Sequence, residues 1–186
     1  MRYYIFSNQD NVFSDGIAET LILPSEQVYE NIFSESFQNK YGEYIRKAQQ
    51  TFKGKKDKMG LPIELHAIRM ASALDILNYD EDHIVTAIYH DVLEDSVDNP
   101  NKIMTTVYIK VTTALYQLTR NPEDTYFEYI EKINDPIALK VKEMDLNDHL
   151  YYKDHINDSL ISRYEKALEI IKGKSLNFSS NVKGDK

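Results

Sequence analysis

Apolar residues recur at helical spacing through most of this chain, from about Tyr41 to Ile171. Tyr44, Ile45, Ala48 and Phe52 form one stripe, which stops at the lysine-rich loop 53–58. Pro62 predicts a helix start, with Leu65, Ile68, Ala71, Leu74 and Ile76 or Leu77 facing inward. Asp80 or Asp82 caps the following helix, which carries His90 and Asp91. A loop from Ser96 to Asn101, containing Asn99-Pro100, then breaks the chain. The next helix passes through Val107, Val111, Leu115 and Leu118 and ends near Asn121-Pro122. Thr125 to Ile133 reads as a short helix. Asp135-Pro136 restarts another through Leu139, Val141, Met144 and Leu146, and the last spans Asp158 to Ile171 and stops at Gly173.

The first 24 residues read differently. Tyr3-Tyr4-Ile5-Phe6 and Thr20-Leu21-Ile22-Leu23 are short β-prone runs separated by Asn, Asp and Gly, which predicts a hairpin or an extended arm. Pro24-Ser25 then enters a helix with Val28, Ile32 and Phe33 on one face. The expected class is all-α, a helical bundle with a short β or extended element at the N-terminus. Residues 1–40 read as an extension packed on the core, 41–172 as the main domain and 173–186 as a polar, flexible tail.

Composition narrows the function classes. A chain of 186 residues that is 42% apolar has enough material for one sizeable core. A formal net charge of −8 argues against a nucleic-acid backbone or an anionic membrane as the main partner. Cysteine is absent, which excludes disulfides and thiolate metal sites. The N-terminus lacks a basic stretch followed by an apolar run, and no apolar run approaches the roughly 18 residues of a membrane span. The expectation is a cytoplasmic protein, with self-association left open.

Candidate chemistry centres on Tyr89-His90-Asp91-Val92-Leu93-Glu94-Asp95. An imidazole and a carboxylate stand on adjacent residues among Ile84, Val85, Ala87, Ile88 and Val92, with a second acidic pair just beyond. Charged groups in such company are costly unless paired or bound to a cation. His66 and Asp145 offer similar groups on two other predicted helices, and nitrogen and oxygen donors of this mix suit manganese, iron or zinc. Each residue alone has a plainer account. A single histidine on an apolar helix is more often a hydrogen-bonded core residue, and Asp145 alone reads as a solvated face residue.

The order of these motifs resembles the HD superfamily of metal-dependent phosphohydrolases. More narrowly, it is similar to the hydrolase domain of the guanosine tetraphosphate (alarmone) enzymes and the small stand-alone alarmone hydrolases. The matching runs are Gly60-Leu61-Pro62-Ile63-Glu64-Leu65-His66, then Ile88-Tyr89-His90-Asp91-Val92-Leu93-Glu94-Asp95, then Val141-Lys142-Glu143-Met144-Asp145. The resemblance covers residues 41–170. It implies an HD helical bundle and one divalent metal, Mn2+ first with Fe, Zn or Mg as alternatives, on His66, His90, Asp91 and Asp145. It also gives Glu94 and Asp95 the task of orienting or activating the attacking water. The implied function is hydrolysis of a phosphoester or pyrophosphate on a nucleotide, with the guanosine 3′-pyrophosphate alarmone as first candidate. A nucleoside monophosphatase or other phosphomonoesterase is the second reading, and a non-catalytic metal-dependent nucleotide sensor the third.

Several positions depart from that pattern. Where the alarmone hydrolases carry an Arg-Lys pair before the first histidine, this chain has Asp57 and Lys58, with Lys55 and Lys56 close enough to compensate. Ala67 replaces a proline, and His149 replaces an asparagine that meets the nucleotide. The runs Leu118-Thr119-Arg120, Thr125-Tyr126 and Val141-Lys142 to His149-Leu150 also resemble a group of small bacterial HD proteins. The expected substrate contacts are therefore Lys55, Lys56, Lys58, Arg120, Lys142 and His149. Arg120 also reads as a surface charge ending a helix, and Lys142 as the partner of a carboxylate.

Overall fold

The computed structural model describes residues 3–5, 22–24, 30–56, 62–96 and 99–182. The fold is all-α apart from one short hairpin, in which β1 (Tyr3–Ile5) pairs antiparallel with β2 (Ile22–Pro24), Tyr4 opposite Leu23. Residues 25–29, including Val28, lie outside the described residues. Residues 30–33 are helical, and Asn31 ties them to the body through Ser72 and Asp75.

Helix α1 (Glu35–Thr51) starts at Ser34, whose hydroxyl accepts from the Phe37 N–H at 3.1 Å. It therefore runs across residue 40. Phe37, Tyr41, Ile45 and Ala48 repeat every three or four residues and bury one stripe, which Phe52 completes. Gly54 turns the chain at φ +81°, a conformation that favours glycine.

Helix α2 (Ile63–Ile76) is the central element, with every residue from His66 to Leu74 buried. Its neighbour α3 (Glu81–Tyr89) is capped by Asp80, which accepts from the His83 N–H at 3.1 Å. The sharp connection between them uses Asn78 at φ 59°, which asparagine tolerates better than most side chains. Helix α3 does not carry the His-Asp pair within it, as the sequence suggested. It ends at Tyr89, His90 is its cap, and the chain kinks at Asp91 before α4 (Val92–Asp95).

Two shorter helices, α5 (Asn101–Met104) and α6 (Ile109–Leu118), follow. Helix α7 (Tyr126–Lys132) opens with a reciprocal capping box between Thr125 and Glu128. Helix α8 (Pro136–Tyr151) combines an Asp135 cap with proline in its first turn. After a short turn at Lys153–His155 the chain ends in α9 (Asp158–Val182). Helix α2 packs on α3, α3 on α6 and α8, α8 on α9, and β1 lies along α8. Among the described residues no helix is long and apolar enough to cross a membrane.

Three further expectations need correction. Phe33 is 79% exposed, so the entry helix turns Ile32 inward and Phe33 outward. Leu65 is 39% exposed because α2 is buried on nearly all sides after its first turn, which erases the simple stripe used to place it. Helix α9 runs through Gly173 to Val182. A glycine inside a helix costs about 1 kcal/mol and does not forbid continuation. Just beyond it the Ser175 hydroxyl bonds the Ile171 carbonyl at 3.1 Å, and Lys174 donates to the Glu131 carbonyl.

These burials predict a contrast in urea unfolding. Leu74→Ala in α2, fully buried, costs about 3 kcal/mol, whereas Phe33→Ala changes stability by less than about 0.5 kcal/mol. Equal effects would contradict this placement.

Candidate metal centre

The site forms where α2, the end of α3 and α8 meet. Each element delivers one donor: His66 from the first turn of α2, His90 from the cap of α3 and Asp145 from the middle of α8. Their ligand atoms all lie within 4.8 Å of one another, and the three residues are 4–5% exposed. His66 and His90 meet edge to face, with centroids 5.2 Å apart. The first two histidine expectations and the Asp145 expectation therefore fall on one buried point.

Hydrogen bonding fixes which nitrogen each ring presents. His90 Nδ1 lies 2.9 Å from the Ala87 carbonyl, which can only accept, so Nδ1 carries the proton and Nε2 faces the site. His66 Nδ1 lies 2.5 Å from Asp148 Oδ2, and with Asp148 as the acceptor Nδ1 carries the proton and Nε2 faces Asp145 Oδ1 at 3.1 Å. In the neutral ring that places a nitrogen lone pair opposite a carboxylate oxygen with no proton between them. A cation between the two relieves this repulsion. His66, His90 and Asp145 thus form a buried group able to hold a metal ion.

Asp91 adjoins the group without belonging to its tight core. Its Oδ2 is 3.1 Å from His90 Nε2, and its side chain is 30% exposed, at the mouth of a cavity of about 390 Å³. Glu94, Asp95, His149, Tyr152 and Ile156 also line it. Each acid of the pair is anchored. Glu94 Oε1 accepts from the Arg120 backbone N–H at 2.8 Å, and Asp95 Oδ1 pairs with Lys55 Nζ at 3.2 Å.

The expected substrate contacts divide. Lys56 and His149 line the cavity. His149 Nε2 is 3.2 Å from Asp145 Oδ1, and its ring stacks between those of His66 and Tyr164. Lys55 reaches the wall only through Asp95. Lys142 is the partner of a carboxylate, with Nζ 2.6 Å from Asp145 Oδ2. Arg120 is exposed and contributes its backbone N–H rather than a cavity-lining side chain. Lys58, like Asp57, lies outside the described residues.

Two residues of the site escaped the sequence reading. Asp148 and Arg69 are buried in the cavity wall, and Arg69 Nη2 and Nε reach Asp148 at 2.8 and 3.3 Å. Both stand three residues after a donor, Arg69 after His66 and Asp148 after Asp145. That shared i,i+3 offset on two facing helices is the signal that could have found them.

The electrostatics follow from burial and neighbours. Burial brings His66 down to about 4, against the pull of Asp145. Burial also opposes the charged form of His90, yet Asp91 and then Asp145 outweigh it and hold the ring up at about 9. Asp145 is held well below the usual carboxylate range because Lys142, followed by His149, overcomes its burial. Burial pushes the Asp148 carboxyl up, and the Arg69 fork opposes that push by favouring the anion.

No protein-family model and no curated protein matches the chain.

A proton-linkage prediction follows. An unfolded histidine titrates near 6.5. Between about 4 and 6.5 the unfolded chain binds the proton that folded His66 refuses, so the metal-free protein gains stability as pH rises. Between 6.5 and about 9 folded His90 holds a proton that the unfolded chain has lost, so stability falls. Ligation requires His90 neutral, so binding one divalent ion at pH 7.5 releases about one proton. Calorimetry in two buffers of different ionisation enthalpy measures this, and binding without proton release would contradict the assignment.

Proposed function

We propose that this chain is an HD-type metal-dependent phosphohydrolase that cleaves a phosphoester or pyrophosphate on a nucleotide, with the guanosine 3′-pyrophosphate alarmone as first candidate. The observation that carries the reading is the convergence of His66, His90 and Asp145, with Asp91 adjoining, beside a cavity whose wall holds Glu94 and Asp95. When bound, a divalent ion, Mn2+ first, supplies Lewis acidity and lowers the pKa of water at the site. Glu94 and Asp95 have one oxygen anchored and the other available to take the proton of the attacking water. Lys56 at the cavity wall offsets phosphate charge, and Tyr152 and Ile156 offer an apolar surface to the rest of the substrate.

One observation favours a phosphomonoesterase as the second reading. The nearby cations are mostly committed to carboxylates: Lys55 to Asp95, Lys142 to Asp145 and Arg69 to Asp148. A substrate with one phosphate asks for less positive charge than one with two pyrophosphates.

The test incubates the manganese-loaded protein with guanosine tetraphosphate and with a panel of nucleoside monophosphates, beside His90→Ala. GDP and pyrophosphate from wild type alone is the expected result, and inorganic phosphate from a monophosphate would select the second reading. Glu94→Gln should lower either rate by about 10²–10⁴-fold while metal stays bound. A metal-loaded protein that turns over nothing in a broad panel would defeat hydrolysis and leave a nucleotide sensor.

A further inference from the structure

We infer that Asp148, clamped by Arg69, is the positioning residue that fixes the tautomer and orientation of His66 for metal ligation. The inference rests on the metal-centre reading and adds a support that the donor set alone does not require. Asp148 Oδ2 is shared by two groups, Arg69 Nη2 at 2.8 Å and His66 Nδ1 at 2.5 Å, and Oδ1 takes Arg69 Nε at 3.3 Å. A guanidinium has donors and no acceptor, so it holds both carboxylate oxygens in the accepting role. Facing an Asp148 kept ionised by that clamp, His66 Nδ1 donates. The Nε2 lone pair is thereby aimed at the point shared with His90 and Asp145.

The two histidines are supported differently. His90 obtains its tautomer from the Ala87 carbonyl, a backbone group that α3 provides without any side chain. His66 sits in the first turn of α2 and takes its support from the facing helix, α8. The i,i+3 offset brings His66 against Asp145 and Asp148 together, and Arg69 against Asp148. The Tyr152 ring covers the Arg69 guanidinium at 4.9 Å.

Stability is a weak explanation for this pair. Arg69 and Asp148 are 2% and 1% exposed, and a buried ion pair is often no more stabilising than apolar residues of similar volume. Its contact with a metal-site imidazole is what apolar residues could not reproduce.

Removing one charge would strand the other in the core, so the variant to make is Asp148→Leu/Arg69→Met, which removes both charges and the acceptor facing His66. Affinity for Mn2+ and Zn2+ is measured by competition with a chromophoric chelator, beside wild type and His90→Ala. The metal-free double variant should unfold cooperatively and bind metal about 10–100-fold more weakly than wild type. A merely structural pair would shift the unfolding midpoint and leave affinity unchanged, and that result would overturn the inference. Long-range 1H–15N correlation spectra of metal-free wild type at neutral pH give a second test that needs no variant. His66 should carry its proton on Nδ1, and a proton on Nε2 would overturn the inference. Wild type that binds no metal would instead defeat the metal-centre reading itself, and this role with it.

Discussion

Asp145 carries a negative charge into a helical core where it is 4% exposed, and the surrounding groups answer the cost of that burial. An isolated carboxylate in such a place costs several kcal/mol and would simply take up a proton. Lys142, one turn earlier on the same helix, meets one oxygen at 2.6 Å. His149 meets the other at 3.2 Å, and the His66 Nε2 lone pair faces that same oxygen at 3.1 Å, where a cation would fit between them. Lys142 is itself buried beside Tyr129, and its charge is held by Asp145 in return. The positions of α2 and α8 are tied together by these contacts as well as by apolar packing.

The same constraint explains the chemistry on offer. Charges that neutralise one another leave little net positive charge at the cavity, whose lining includes Asp91, Glu94 and Asp95 as well as Tyr152 and Ile156. An added divalent ion changes that balance locally. His66, His90 and Asp145 would hold it, and His90 would have to give up a proton to do so. Glu94 and Asp95 stand apart from this neutralised cluster, each anchored through one oxygen by a group outside it.

Much of this arrangement was legible in the sequence, and the reasons differ by element. Helix starts with a cap and an apolar stripe, such as Asp80 before α3 and Asp135-Pro136 before α8, rest on local hydrogen bonds that short windows contain, whereas the Ser34 start of α1 went unread. Central α2 was harder to read, because a helix buried on all sides has no polar face to mark its orientation, and Leu65 was misplaced for that reason. Gly173 suggested a stop that the chain does not obey. Donors His66, His90 and Asp145 could be named because three motifs in order resemble a known pattern, whereas each residue alone had a plainer account as a core or surface group. Arg69 and Asp148 neutralise each other across 79 residues of sequence, and only folding brings them together.

The central claim, that two imidazoles of this chain share one divalent ion, is tested most directly by pulsed electron paramagnetic resonance of the protein loaded with one Mn2+. Electron spin echo modulation should show directly coordinated nitrogen from two imidazoles in wild type and from one in His66→Ala. Manganese bound with no nitrogen modulation, or a wild-type signal that His66→Ala leaves unchanged, would contradict it.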